Sequence, residues 1–132
     1  MSYWGAGLLA AGAAWAVNRF VVKYLGEAAI IWIIPWLEEL LKTGIALFAG
    51  ASPLLTHGVF GTIEAFYDYA YAVSPRWGLL AGLLSIISHW LYGLVTVFIF
   101  QQSSSWLGGI LCASFLHVLW NYSMAVINRN RS

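Results

Sequence analysis

The chain has 132 residues, 61% hydrophobic and only 8% charged, with a formal charge of +1 and a mean hydropathy of +0.79. Soluble domains carry about 25% charged residues, so this composition describes an integral membrane protein, a single transmembrane helical domain over residues 1–132 with no room for a soluble one. Six basic residues are too few for a nucleic-acid-binding face, and a single cysteine excludes an intrachain disulfide or a CxxC metal site.

Five spans are predicted, over 3–22, 28–50, 54–73, 77–100 and 106–127. The first carries no basic residue ahead of its apolar run, so it reads as a retained helix rather than a cleaved signal. It is rich in Ala and Gly, which lets a neighbouring helix approach closely, and it ends in Asn18 and Arg19, placed to snorkel to the interface. Trp4, Trp77 and Trp106 fall at span ends, where an interfacial belt belongs. Short links make consecutive helices antiparallel neighbours. Arg19 and Lys23 follow span one, Arg76 follows span three, and Arg129 and Arg131 follow span five, whereas the other two links are uncharged. The positive-inside rule then places the N-terminus outside and the C-terminus in the cytoplasm of a multi-pass cell-membrane protein. Cys112, in span five, is expected to be a small residue packed between helices.

The motif-bearing core covers 28–127. Span two holds Pro35-Trp36-Leu37-Glu38-Glu39-Leu40-Leu41-Lys42. An ionised carboxylate at a bilayer centre costs on the order of 3 kcal/mol, and here there are two. Glu38 and Lys42 are four apart, acid first, the favourable order for a helical pair. Glu39 has only Thr43 at that spacing, so at least one acid must find a partner on another helix or in water. Pro35 cannot donate to Ile31 and is expected to kink the helix ahead of Glu38.

The remaining spans repeat the anomaly at matching depth. Span three brings His57, Gly61, Glu64 and Asp68 to one face, with Glu64 near its midpoint and His57 expected at the interface. Span four aligns Ser85, His89, Gly93 and Thr96, and span five stacks His117 above Asn121, where the amide would fix the imidazole or face a developing oxyanion. Trp36, Trp90 and Trp120 lie too deep for the belt and either wall this site or simply pack. Four helices with ionisable groups at one level predict a single polar site in the bundle core.

Carboxylates, two imidazoles and an amide suit water activation. Glu38 or Glu39 would act as the base, with His89, His117 and Asn121 at the oxyanion. Alternatively Glu64, His89 and His117 would hold zinc with one position open, again with a glutamate base. Two further readings use the same residues: a proton-coupled carrier or channel subunit with a midplane Glu/His relay, and a haem site with His89 and His117 as axial ligands. Five short helices enclose a small cleft, with which a homodimer is compatible.

Glu38-Glu39-Leu40-Leu41-Lys42 resembles the EExxK motif of the PrsW-type intramembrane proteases. Gly58-Val59-Phe60-Gly61-Thr62-Ile63-Glu64, followed by Tyr67 and Tyr71, resembles their second motif, and Arg76 with His89 and Gly93 the third. Phe115-Leu116-His117-Val118-Leu119-Trp120-Asn121 resembles the closing HxxWN-like motif. The wider group includes the CAAX prenyl proteases and bacteriocin-processing relatives (CPBP). The resemblance implies an intramembrane endopeptidase acting on membrane-associated proteins or peptides, with the chemistry on Glu38, Glu39, His89 and His117, supported by Glu64 and Asn121. Two departures matter: the chain is shorter than most relatives, and Lys42 stands where prenyl proteases carry an arginine, which disfavours prenylated substrates.

Overall fold

The computed structural model describes residues 1–129. All regular structure among them is helical: α1 (Tyr3–Leu25), α2 (Ala29–Trp32), α3 (Ile34–Phe48), α4 (Pro53–Tyr71), α5 (Pro75–Ser103) and α6 (Trp106–Arg129). Arg131 and the side chain of Arg129, part of the charge pattern above, lie outside the described residues.

The helix ends follow local chemistry. Ser2 and Ser52 cap α1 and α4 by accepting from the amides of Gly5 and Leu55. Pro53 and Pro75 open α4 and α5, where a missing N–H costs nothing. Gly26 and Gly50 close α1 and α3 with φ of +78° and +63°, a conformation that glycine adopts without strain. Instead of a single kinked span over 28–50, the chain breaks at Ile33 into α2 and α3. Pro35 explains this, because its ring nitrogen has no hydrogen for the carbonyl of Ile31.

Among the described residues, three helices are long and apolar enough to cross a membrane: Tyr3–Leu25, Pro75–Ser103 and Trp106–Ile127. The polarity of the bundle is inverted relative to a soluble protein. Glu38, Glu39, Lys42, Thr43, His57, Ser85, Ser88, His89, Thr96 and His117 are buried. Leu8, Phe48, Phe66, Ile87, Phe98 and Leu107 face outward. Water would reject such a surface, and hydrocarbon accepts it; the chain is a membrane protein. Cys112 is on the outer surface, not between helices, since the inner face of α6 is taken by Gly109, Ala113 and His117.

α5 lies between α4 and α6, α1 covers α3 and α4, and α3 also touches α6. The N-terminal ammonium donates to the carbonyl of Ala49 at 3.0 Å, which ties the start of α1 to the end of α3 in an antiparallel pair. Close approach rests on glycine. A methyl group on Gly109 would meet the Thr96 carbonyl oxygen at 2.5 Å, and one on Gly61 would meet His89 Cβ at 2.6 Å. Gly93 receives His57 in the same way, at 2.9 Å. Each of these two imidazoles therefore sits on a glycine of the facing helix.

Gly109→Ala is expected to force α5 and α6 apart and cost about 1–3 kcal/mol, read as a lower unfolding temperature in detergent. Unchanged stability would refute the close contact.

Candidate active site

The centre of the bundle is an ion pair. Lys42 Nζ donates to Glu39 Oε1 at 2.5 Å, and neither side chain has any exposure. The two are three residues apart, within one helical turn. The expected Glu38–Lys42 pair does not form. One turn of α3 admits either spacing, and the neighbouring helices select between them: α1 supplies Asn18, whose Nδ2 donates to Glu38 Oε1 at 2.6 Å.

Three histidines surround the pair. His117 Nδ1 lies 3.0 Å from Glu39 Oε1, and His57 Nδ1 lies 3.5 Å from Glu39 Oε2. His57 is fully buried with Nε2 3.2 Å from Thr43 Oγ1, so it is a member of the cluster and not an interfacial residue. His89 Nδ1 lies 2.9 Å from Lys42 Nζ. Its Nε2 is in close contact with Glu64, whose carboxylate also accepts from Ser85 Oγ at 3.3 Å. Tyr92 stacks on His117 with ring centroids 4.6 Å apart and packs edge-on to His89, which holds both ring planes.

Donor counting assigns the protons. An ammonium only donates, so His89 accepts from Lys42 at Nδ1 and donates from Nε2 to Glu64. A carboxylate only accepts, so His117 donates from Nδ1 to Glu39; in the neutral imidazole this leaves the lone pair of Nε2 free. That lone pair lies 3.9 Å from Glu38 Oε2, a buried carboxylate oxygen with no hydrogen-bond partner among the described residues.

Glu38 and His117 both line an open cleft of about 720 Å³ between α1, α2, α3, α4 and α6. Glu38, Glu64, His117, Asn18 and Asn121 line it, while Glu39, Lys42, His57 and His89 are set behind its wall. The adjacent glutamates thus differ in place: Glu38 faces the cleft and Glu39 faces the bundle centre.

The other expected positions separate. Asn121 lines the cleft but bonds to no imidazole; its Nδ2 donates to the carbonyl of Ile30 at 3.0 Å and ties α6 to α2 beside the helix break. Backbone exposed by that break competes for the amide. Trp36, Trp90 and Trp120 do not line the cleft; Trp90 packs on Gly58. For a metal, the atoms that approach within 4.8 Å of one another belong to Glu38, His89 and His117, with Glu38 in the place expected for Glu64. They do not fit a divalent ion as arranged. Both His89 nitrogens are engaged, and one faces an ammonium. The same engagement leaves His89 no free nitrogen for a haem iron.

Asn18, His57, Thr43 and Tyr92 escape a reading by span depth. One signal was available for His57: Thr43 lies five residues before the end of α3 and His57 four after the start of α4. In an antiparallel hairpin, such residues lie opposite each other.

Lys42→Met is expected to destabilise by about 3–5 kcal/mol, because it leaves Glu39 buried and unpaired. Adding Glu39→Gln should restore part of the loss. Chemical unfolding in detergent reads both; equal stability of Lys42→Met and wild type would remove the ion pair from its central role. Comparison of the chain with protein-family models, with curated proteins and with solved structures found no match.

Proposed function

We propose that this chain is an intramembrane peptidase that hydrolyses peptide bonds of membrane-associated proteins with a water activated by Glu38. One observation carries the reading. Glu38 and His117 both line an open cleft, Glu38 Oε2 lies 3.9 Å from His117 Nε2, and that buried oxygen has no hydrogen-bond partner among the described residues. One water oxygen about 2.8 Å from each would bridge them.

Such a water donates one hydrogen to each acceptor, and its lone pairs turn toward the cleft. Glu38 removes a proton as the oxygen adds to the peptide carbonyl, then returns it to the nitrogen of the leaving amine. The oxygen stays on the acyl product as its carboxyl group. Asn18 positions Glu38. Glu39 positions His117 and holds its proton at Nδ1, so that Nε2 accepts. Lys42, His89 and Glu64 complete the chain that keeps Glu39 in place. No zinc step is invoked, because His89 has no free nitrogen. The resemblance of the EExxK, Glu64, His89 and HxxWN-like segments to the PrsW-type proteases supports the same reading.

The carrier reading fits this geometry less well. A proton relay across a membrane needs ends on opposite faces. The chain from Glu64 through His89, Lys42 and Glu39 to His117 begins and ends in one cleft.

The same reading includes five crossings of the cell membrane. α2 and α3 together span 29–48, about 30 Å at 1.5 Å per residue, and the 19 residues of α4 about 28 Å. Both lengths suit a bilayer core of about 30 Å, and Glu38, Glu39, Lys42, Thr43, Thr56 and His57 of these segments turn inward. Arg19, Lys23 and Arg76 cluster at one end, which favours a cytoplasmic C-terminus. A fluorescent protein fused after the last residue should therefore be bright, and alkaline phosphatase fused there inactive; the opposite pair of results would reverse the orientation.

Glu38→Gln is expected to lower cleavage of a reconstituted membrane peptide by about a hundredfold or more, with the fold retained and no effect of chelators on the wild type. Turnover that survives Glu38→Gln, or that chelation abolishes and zinc restores, would overturn the mechanism.

A further inference from the structure

The cleft carries both signs of charge. Glu38 and Glu64 line it on α3 and α4, and Arg19 and Lys23 line it on α1. Both cations are on α1 and both are exposed. They are four residues apart and so share a side of the helix. No carboxylate forms an ion pair with either among the described residues. Arg19 lies over the Trp15 ring at 4.8 Å from its centroid, and Trp15 lines the same cleft. The guanidinium, though exposed, is thereby held against a residue of the cleft wall. Snorkelling anchors need only reach the interface. These two border the same cavity as the water site, and Arg19 directly follows Asn18, the residue that holds Glu38.

We infer that Arg19 and Lys23 form an anion-recognition subsite at the mouth of the cleft, which selects peptide segments carrying an acidic side chain beside the bond to be cut. The inference rests on the peptidase reading for what the cleft admits. Lys23 is five residues beyond Asn18, about 7.5 Å along the helix axis. An extended peptide covers that in two to three residues at about 3.3 Å each. The acidic side chain therefore belongs about two to three residues from the bond presented to Glu38. Selection also works by exclusion: segments flanked by Lys or Arg, common at membrane boundaries, meet two like charges at the mouth.

The test measures binding and cleavage separately. Two fluorescent membrane peptides of equal hydrophobicity, one with Asp and one with Lys at the flanking position, are titrated against the protein in nanodiscs of zwitterionic lipid. Wild type is expected to bind the Asp peptide about tenfold more tightly or better. The preference should vanish in Arg19→Gln/Lys23→Gln and invert in Arg19→Glu/Lys23→Glu. The Gln variant keeps the test decisive if reversed charges disturb insertion. Equal affinities in wild type, or an Asp preference that persists in the Gln variant, would overturn the subsite. A wild-type preference that is present in zwitterionic lipid but lost in anionic lipid would assign the cations to lipid headgroups and overturn it as well. Binding with the expected preference but without any cleavage would leave the subsite standing and remove the peptidase.

Discussion

The Glu39–Lys42 ion pair is the constraint around which the bundle is arranged. Both groups lie on one turn of α3 with no access to solvent. As a pair they are neutral, which makes burial tolerable, but each keeps hydrogen-bonding capacity that lipid does not satisfy. The remaining hydrogen-bond partners come from other helices, His117 from α6 and His89 from α5, and His57 from α4 packs 3.5 Å from Glu39 Oε2. Each contact fixes the rotation of a helix about its own axis. A single charged turn thus sets the orientation of three neighbours, a role that dispersion between apolar faces does not perform as selectively.

Polar contacts specify this arrangement, and small residues make it reachable. An imidazole enters the interface between α4 and α5 only where the facing backbone lacks a side chain. Gly61 opposite His89 and Gly93 opposite His57 provide that space. The outward faces need no such matching and carry Leu, Ile and Phe. Specific packing is thus concentrated where the polar groups are.

Two adjacent glutamates have different surroundings because consecutive helix positions point about 100° apart. Glu39 is turned into the bundle, with Oε1 bonded to Lys42 and His117 and Oε2 3.5 Å from His57 Nδ1. Glu38 lines the cleft, with one oxygen held by Asn18 and the other without a hydrogen-bond partner among the described residues. A carboxylate anchored behind an imidazole with a second beside it is an arrangement suited to orienting water.

The membrane class, a disturbance of the helix at Pro35 (expected as a kink, found as a break at Ile33) and the gathering of Glu38, Glu39, Glu64, His89 and His117 were legible in the sequence. Each depends on quantities the chain states directly: apolar run length, a missing N–H, and distance along a helix axis. Partner identity was not legible. Pairing of Lys42 with Glu39 rather than Glu38, capture of Glu38 by Asn18, inclusion of His57, and diversion of Asn121 to the Ile30 carbonyl all depend on how helices are rotated against one another. Composition and spacing determined which residues are too costly to face lipid. Only tertiary packing decided which of them meet, because depth follows from counting along one helix whereas contact requires the azimuth of two.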